Sequence, residues 1–315
     1  MGRTKGLVAT EQRNPRSRNL DLKSTREILR VISREDAQVA GAVRREIPKI
    51  ARAVDEIVAR LGKGGHLFYI GAGTSGRLGV LDASEVPPTF GVQRTLVQGI
   101  IAGGNRALTA SIEGAEDHPA NGARALRARG LREGDVVIGL AASGTTPYVL
   151  GALKFARRRG AYTIALTTNR ATPISRLAHL TIAPVTGREV IAGSTRMKSG
   201  TAQKMVLNMI STATMTRLGC IYDNWMIGVA RSNRKLRQRA VRNLAEASGA
   251  DRQTAERILR QAAGDLRVTL VMLKSGLAAQ AARRALAANR GDVRKALADA
   301  AKVSRRVNKD RRRHG

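Results

Sequence analysis

The chain has 315 residues, of which 43% are hydrophobic and 3% aromatic, and its formal net charge is +32. Such a chain is long enough to bury a sizeable core and to carry an appendage beside its main domain. No apolar run approaches the ~20 residues that cross a bilayer, and residues 1–18 lack the apolar segment of a secretory signal, so we expect a cytoplasmic protein without membrane contact.

The cysteine and histidine content excludes two kinds of site. The single cysteine, Cys220, excludes an internal disulfide and is typical of a reducing compartment. The histidines have no partners at metal-ligand spacing, so no zinc site is expected. The basic residues are spread along the chain and few aromatic rings are available for base stacking, which favours an arginine-rich solvated surface over specific nucleic-acid binding. Non-specific binding to polyanions at low salt is still expected.

The first elements along the chain are an arm and two helices. Residues 1–23 contain few apolar positions and are predicted to form an extended arm. A helix should begin after Ser24, because Ser24 and Glu27 have the spacing of a capping box and apolar residues follow at helical intervals. A second helix is predicted over about residues 34–61 from one apolar stripe, with Pro48 as a point where it could kink.

Short apolar runs then alternate with helical stretches, which predicts an α/β fold with a parallel sheet covered by helices on both faces. The runs are 66–70, 96–102, 136–142, 162–166 and 180–184. From residue 201 to the end the pattern is helical. We therefore divide the chain into an arm (1–23), a main domain (24–245), a small all-helical C-terminal subdomain (246–300) and a basic tail (301–315).

The first predicted strand runs into a turn rich in glycine and hydroxyls. Residues 71–76 have the G-x-G-x-x-G spacing of a dinucleotide site. Such a site needs an acidic residue about 20 positions on, at the end of the next strand, to hold the ribose, and residues 91–98 supply none. The adjacent hydroxyls of Thr74 and Ser75 suit a terminal phosphate monoester, whose oxygens need several donors. A phosphosugar site is the preferred interpretation.

Two further hydroxyl-rich segments follow predicted strands and precede helices. Residues 142–147 place three hydroxyls at a helix N-terminus, where free backbone N–H groups and the helix dipole favour an anion. Residues 193–201 do the same and add two cations, Arg196 and Lys198. Helix capping explains any one of these segments equally well. Three together predict a phosphate site, because ligands of parallel sheets bind outside the carboxyl ends of the strands.

Candidate acids and bases lie in two clusters, Asp82 with Glu85 and Glu113 with Glu116 and Asp117. An acidic residue in such a place is often a cap or a surface charge. Two carboxylates beside a phosphate loop can instead divide general-acid and general-base work, one held protonated and the other ionised. The periodicity leaves both readings open.

The motifs in combination resemble a known family. The sequence IGAGTSGRLGVLDASE at 70–85 is similar to the N-acetylmuramic acid 6-phosphate etherase family, which is built on the sugar isomerase (SIS) domain. Similar motifs follow at 98–104, 113–116, 141–148 and 193–204, and the arm matches as well, so the resemblance covers about residues 10–300. It implies an SIS-type parallel sheet flanked by helices, and a homodimer with the site near the subunit interface.

The resemblance also implies an activity. A lyase of this kind cleaves the D-lactyl ether of N-acetylmuramic acid 6-phosphate to N-acetylglucosamine 6-phosphate and D-lactate in cell-wall sugar recycling, with no metal or organic cofactor. By motif match, Glu116 is the base that removes the C2 proton, and Glu85 is the acid that protonates the departing oxygen and later activates water. The residues expected to hold the phosphosugar are Gly73, Thr74, Ser75, Ser143, Gly144, Thr146, Ser194, Thr195, Arg196 and Lys198.

This chain departs from the family pattern in places. Thr145 stands where arginine is expected, Arg188 where proline is usual, and Ser199 where alanine is common. The first change removes a cation from beside the site. The basic tail is also outside the pattern.

Three alternatives remain open at this point. They are a non-catalytic regulator that binds sugar phosphates, an aldose–ketose isomerase on the same scaffold, and a DNA-binding regulator suggested by the net charge. The presence of both Glu85 and Glu116 favours the enzyme over the regulator.

Overall fold

The computed structural model describes residues 8–228 and 234–311, with side chains at 8–228 and 236–302. By their contacts the described residues form two units. The first comprises residues up to Ser84 with Arg94–Thr214, and the second comprises Glu85–Gln93 with the residues from Met215 onward. Each unit has its own hydrophobic core. None of the described helices is both long enough and apolar enough to cross a membrane.

The N-terminal arm is folded into turns and is not extended as predicted. It forms 3₁₀ turns at Ala9–Glu11, Pro15–Ser17 and Leu20–Leu22. The first helix, α1 (Thr25–Asp36), begins as predicted. Its capping box is complete, since the Ser24 hydroxyl accepts from the Glu27 N–H and the Glu27 carboxylate accepts from the Ser24 N–H at 2.9 Å.

The single helix predicted over residues 34–61 is wrong, because the chain forms two more helices, α2 (Val39–Arg44) and α3 (Ile47–Leu61). Pro48 lies in the first turn of α3 and does not kink a longer helix, because a proline there forfeits no intrahelical hydrogen bond. The chain turns at the buried Glu46, whose carboxylate accepts from the Ala183 N–H at 3.1 Å. The hydrophobic periodicity of the sequence gives no sign of this long-range bond.

The five strands of the first unit form a parallel sheet, as predicted. They are β1 (Leu67–Gly71), β2 (Val97–Ile101), β3 (Val136–Leu140), β4 (Tyr162–Leu166) and β5 (Leu180–Ile182), in the order β2-β1-β3-β4-β5. Every residue of β1, β3 and β4 is buried, which is why these strands are continuous apolar runs. Gly71 pairs with Leu140 across β1 and β3, so the carboxyl ends of these two strands meet.

Helices connect the strands and flank the sheet. They are α4 (Gly73–Phe90), α5 (Pro119–Ala128), α6 (Pro147–Arg158), α7 (Pro173–Leu177) and α8 (Lys198–Arg217), and a 3₁₀ turn at Gly104–Leu108 follows β2. Helices α5 and α6 approach closely because glycines face the contact. A Cβ on Gly122 would lie 2.0 Å from the Tyr148 carbonyl oxygen, and one on Gly151 would lie 1.9 Å from that of Pro119.

The second unit contains a short hairpin that the sequence did not predict. Strands β6 (Ile221–Tyr222) and β7 (Trp225–Met226) are antiparallel, and the turn between them places Asp223 at a φ of 54°. Five helices follow: α9 (Arg234–Ser248), α10 (Arg252–Gln261), α11 (Leu266–Ser275), α12 (Ala279–Ala288) and α13 (Val293–Arg311).

The helical unit begins earlier than the predicted boundary at residue 246. Helix α9 contributes Ala240 and Leu244 to a core that also contains Leu259 and Leu270. The residues predicted as a basic tail continue α13 to Arg311, and the rest of that tail, 312–315, lies outside the described residues.

Candidate active site

The first phosphate turn joins β1 directly to α4. Gly73, the first residue of α4, has a φ of 53°. Gly71 and Gly76 have no room for a side chain, because a Cβ on either would come within 2.8 Å of the other's backbone. The open N–H groups of the first helical turn are therefore presented at the carboxyl end of β1, where an anion is favoured.

The hydroxyls of this turn are used unequally. Ser75 is buried and donates its proton to Gln203 Oε1 at 2.8 Å, linking α4 to α8. A phosphate oxygen needs a donor, so Ser75 can contact one only by giving up that bond. Thr74 is half-buried, and its side chain forms no hydrogen bond within the described part of the chain.

The second turn joins β3 to α6. Its shape depends on Gly144, which has a φ of 75° and donates to the Ala141 carbonyl at 3.0 Å. Ser143 and Thr145 share a hydrogen bond between their hydroxyls at 2.9 Å. Thr146 is the N-cap residue of α6, yet its side chain makes no capping bond. Its hydroxyl therefore remains able to donate to a ligand.

Replacing Gly144 by alanine tests this turn. A Cβ there would lie 2.4 Å from the Thr172 side chain, in addition to the cost of a left-handed backbone. We expect the free energy of unfolding to fall by about 1–3 kcal/mol more than in a matched Gly130→Ala variant. Gly130 has a similar φ of 71° but an empty surrounding, so it shows the backbone cost alone. Equal losses in urea unfolding of the two variants would contradict the close-packed turn.

The third segment is placed differently from the sequence-based expectation. Ser194 and Thr195 are half-buried and Arg196 is exposed before α8 begins. Lys198, expected to contact phosphate, has no exposed surface. Its ammonium donates to the Glu35 carboxylate at 2.6 Å and to the Thr186 carbonyl at 3.0 Å. This cation is fully engaged inside the protein, so the position of Lys198 does not support a direct phosphate contact.

The N-terminus of α8 also has an anion of its own. The buried carboxylate of Glu189 accepts from the backbone N–H groups of Lys198 and Ser199, at 3.1 and 2.9 Å. A carboxylate in this position satisfies the open N–H groups and complements the helix dipole. The α8 terminus is therefore already neutralised by the protein, unlike that of α4.

The N-terminal arm is attached to these loops. Thr10 accepts at its carbonyl from the Gly193 N–H at 2.9 Å, and the Ser17 hydroxyl donates to the Val190 carbonyl at 2.7 Å. Arg16 forms an ion pair with Glu35, the carboxylate that also holds Lys198. We call Arg16, Glu35 and Lys198 the Glu35 ion cluster, in which Glu35 and Lys198 are buried and Arg16 is exposed. It joins the arm, α1 and the start of α8.

Sequence reasoning missed Glu35 and Glu189. Glu35 is the one buried residue among those of α1, where it resembles any polar residue near a helix end. The hydrogen bond from the Arg16 guanidinium, together with that from Lys198, lowers the pKa of the Glu35 carboxyl to about 2 against the opposing effect of burial. No pattern in the local sequence marks this residue, because its partners come from distant segments.

The acidic cluster after β2 forms a cleft with the first phosphate turn. The cleft has a volume of about 310 Å³. Gly73 from the turn, Arg77 from α4 and Glu116 from the loop after the 3₁₀ turn all line it. Glu116 is exposed, and its carboxylate makes no hydrogen bond or ion pair with any described residue. The structure thus brings one predicted catalytic carboxylate to the predicted phosphate turn.

The other acidic cluster divides into a buried and an exposed residue. Asp82 is buried in α4 and accepts from Asn208 at 2.6 Å and from Ser211 at 3.1 Å. Burial raises the pKa of the Asp82 carboxyl, and these hydrogen bonds oppose the shift. Asp82 therefore connects α4 to α8. Glu85 lies further along α4, is exposed, and belongs to the second unit, whereas the cleft is formed by residues of the first.

A metal site is not formed by the parts of the chain that are described. No three His, Cys, Asp or Glu side chains come together there as metal ligands would. The polar side chains that line the cleft are one guanidinium, three carboxylates and the Ser111 hydroxyl, and the guanidinium and carboxylates suit an anionic substrate and proton transfer.

Comparison with known proteins identifies relatives of this chain. Residues 49–157 match the family model of the glucokinase regulatory protein N-terminal SIS domain, and residues 118–213 match the SIS domain. An N-acetylmuramic acid 6-phosphate etherase from Salmonella agona is 50% identical over 292 residues, which is 93% of this chain and 98% of the relative. The etherase from Mesorhizobium japonicum is also 50% identical, over 93% of this chain and 95% of its own length.

A solved structure gives a more distant comparison. A phosphoheptose isomerase from Neisseria gonorrhoeae is 17% identical and aligns with a TM-score of 0.49, covering 61% of this chain and 100% of the isomerase.

Proposed function

Because the chain belongs to the N-acetylmuramic acid 6-phosphate etherase family, we propose that its cleft beside Gly73 is the place where the ether is cleaved. The protein is a carbon–oxygen lyase. It converts N-acetylmuramic acid 6-phosphate to N-acetylglucosamine 6-phosphate and D-lactate, by elimination followed by hydration, in cell-wall amino-sugar catabolism.

We place the active site here because Gly73 and Glu116 line the same cleft. The phosphate is held by the first turn of α4 and by the turn before α6, with Thr74, Ser143 and Thr146 as hydroxyl donors and Gly144 giving the second turn its shape. The third side of the phosphate site is formed by Ser194, Thr195 and Arg196. Ser75 takes part by releasing Gln203 and donating its hydroxyl proton to the phosphate instead. Lys198 acts on this site indirectly, through the start of α8.

Glu116 is the base of the elimination. Ring opening gives an aldehyde at C1, which acidifies the C2 proton because the resulting carbanion is delocalised into the carbonyl. The exposed Glu116 carboxylate first takes that proton, and the electron pair of the carbanion then forms the C2–C3 double bond as lactate leaves from C3. Removal of the C2 proton in this way needs a positioned carboxylate and an adjacent carbonyl.

Glu85 is the acid, which the family resemblance supports. Its carboxyl protonates the lactate oxygen as the C3–O bond breaks. The resulting carboxylate then removes a proton from water as the water oxygen adds to C3, and Glu116 returns its proton to C2. Both carboxyl groups end in their starting forms, and the net reaction consumes one water.

The direct test is release of D-lactate. The purified full chain, incubated with N-acetylmuramic acid 6-phosphate, is expected to yield equal amounts of D-lactate and N-acetylglucosamine 6-phosphate by mass spectrometry. An isomerase would leave the substrate mass unchanged. A folded sample that binds the substrate but releases no D-lactate would refute the etherase function.

We also infer a cytoplasmic homodimer. The family resemblance supports the dimer, and the single Cys220 is typical of a reducing compartment. Light scattering measures the mass in solution, and a value equal to one 33.8 kDa chain would contradict the dimer.

A further inference from the structure

Arg77 connects the helix that follows the phosphate turn to the loop that carries Glu116. Its Nε donates to the Leu108 carbonyl at 3.1 Å, and its Nη2 donates to the Ala110 carbonyl at 3.0 Å. The same side chain lines the cleft together with Gly73 and Glu116. One guanidinium therefore spans the two sides of the proposed site.

The loop that carries Glu116 has little structure of its own. Residues 109–118 contain neither helix nor strand. Among themselves they form turn hydrogen bonds, such as the one from the Asp117 N–H to the Gly114 carbonyl at 3.2 Å. Toward α6, the Glu116 carbonyl accepts from the Tyr148 N–H at 2.9 Å. Toward β2, the Thr109 and Ala110 N–H groups bond back to the Arg106 carbonyl, and Arg77 is the side chain that holds the loop, at the Ala110 carbonyl.

The Glu116 carboxylate depends on these anchors for its position. It has no hydrogen-bonding partner among the described side chains and backbone groups, so the backbone that carries it sets its place in the cleft. A base that removes a proton from carbon needs its oxygen close to the reacting atom, and small displacements lower the rate steeply. A residue that fixes this loop therefore acts on the chemistry without touching the substrate.

The two bonds explain why the residue is arginine. A guanidinium is planar and offers several donors in a fixed arrangement, so it can bridge two carbonyl groups at once. A lysine ammonium at the same place is a compact point charge on a flexible stem. It would not hold Leu108 and Ala110 in one fixed relation.

We propose that Arg77 is a positioning residue for Glu116, fixing the loop at 109–118 to α4 so that the carboxylate faces the phosphosugar. This role rests on the proposed function of Glu116. In this role, the Arg77 side chain couples the phosphate turn to Glu116, the group that transfers the proton.

The first experiment compares Arg77→Lys with a matched Arg106→Lys in the full chain. Arg106 is an exposed arginine of the neighbouring 3₁₀ turn whose side chain makes no hydrogen bond or ion pair with described residues. We expect Arg77→Lys to lower kcat for D-lactate release by roughly 10- to 10²-fold with little change in KM, and Arg106→Lys to leave both near the wild-type values. Hydrogen exchange of the amides at 108–117 should rise roughly threefold to tenfold in Arg77→Lys alone.

A second experiment separates positioning from a merely structural effect. In a Glu116→Gln background, Arg77→Lys should lower kcat by far less than it does in the wild type, because it acts through the carboxylate that is already lost. Fully additive losses, or unchanged exchange at 108–117 in Arg77→Lys, would overturn the proposal. If the wild type releases no D-lactate, the proposed function fails, and the exchange comparison still decides whether Arg77 holds the loop.

Discussion

Glu116→Gln is expected to lower kcat for D-lactate release by about 10²-fold or more, the scale of a positioned general base. Glutamine keeps the size of the side chain but cannot accept the C2 proton. Its backbone anchor, the bond from the Tyr148 N–H to the Glu116 carbonyl, does not involve the carboxylate, so the fold should persist. Glu133→Gln, at an exposed acid of the first unit that lies outside the cleft, is the control for loss of one negative charge.

Solvent deuterium distinguishes the two proposed catalytic carboxylates. In D₂O, Glu116→Gln should lose exchange of the C2 proton together with lactate release. Glu85→Gln should lose lactate release by a similar factor of about 10² but keep C2 exchange, because it acts after the proton has left. Near-normal kcat in either variant would remove that residue from the mechanism, and the opposite exchange pattern would interchange the two roles.

Glu35→Gln is expected to lower the free energy of unfolding by about 3–5 kcal/mol, the usual result of removing one partner of a buried ion pair. The variant leaves the Lys198 ammonium, which has no exposed surface, without a countercharge. Urea unfolding followed by circular dichroism measures the loss. The matched control is Asp36→Asn, which removes the same charge from the exposed neighbouring position and should cost little.

A double variant tests whether the cluster as a whole is needed. Replacing Glu35 by leucine and Lys198 by methionine removes both buried charges, and much of the lost stability should return. If this double variant also keeps measurable turnover, Lys198 is not a phosphate ligand. If Glu35→Gln lowers the free energy of unfolding by less than about 1 kcal/mol, the Lys198 charge must be stabilised by something other than Glu35.

The pH dependence of stability follows from the same residue. The Glu35 pKa, held at about 2 in the folded state by Arg16 and Lys198, lies below the ordinary value of about 4.3 expected in the unfolded chain. The folded state therefore favours the ionised carboxylate. Its contribution to stability is fully present above about pH 5 and is lost as the pH falls toward 2. Glu35→Gln should show a weaker loss of stability over this acid range.

The sequence predicted the elements whose signals are local. The sheet strands appeared as continuous apolar runs because β1, β3 and β4 are covered on both faces, and the start of α1 carried its own capping box. The turn at Gly73 was identifiable because its glycines and hydroxyls are adjacent in sequence. Pairing of that turn with Glu116 came from the family resemblance and not from any spacing.

The errors arose where a distant group decides the local structure. Residues 34–61 carry one apolar stripe, but the chain breaks between α2 and α3, where the Glu46 carboxylate accepts from the Ala183 N–H. The pairing of Lys198 with Glu35 was also not predicted, because Glu35 lies far away in sequence. The β6–β7 hairpin was missed because each strand contains only two residues, too few for a periodic signal.

The bonds of the N-terminal arm also set an order of events during synthesis. Arm residues are the first of the first unit to leave the ribosome, yet Asn14 and Ser17 bind backbone carbonyls 174 and 173 positions later. These contacts cannot form until the chain beyond residue 190 has emerged. Closing such long loops is slow compared with forming local turns. The arm therefore docks only after most of the first unit has been synthesised, and its docking is a late step in the folding of that unit.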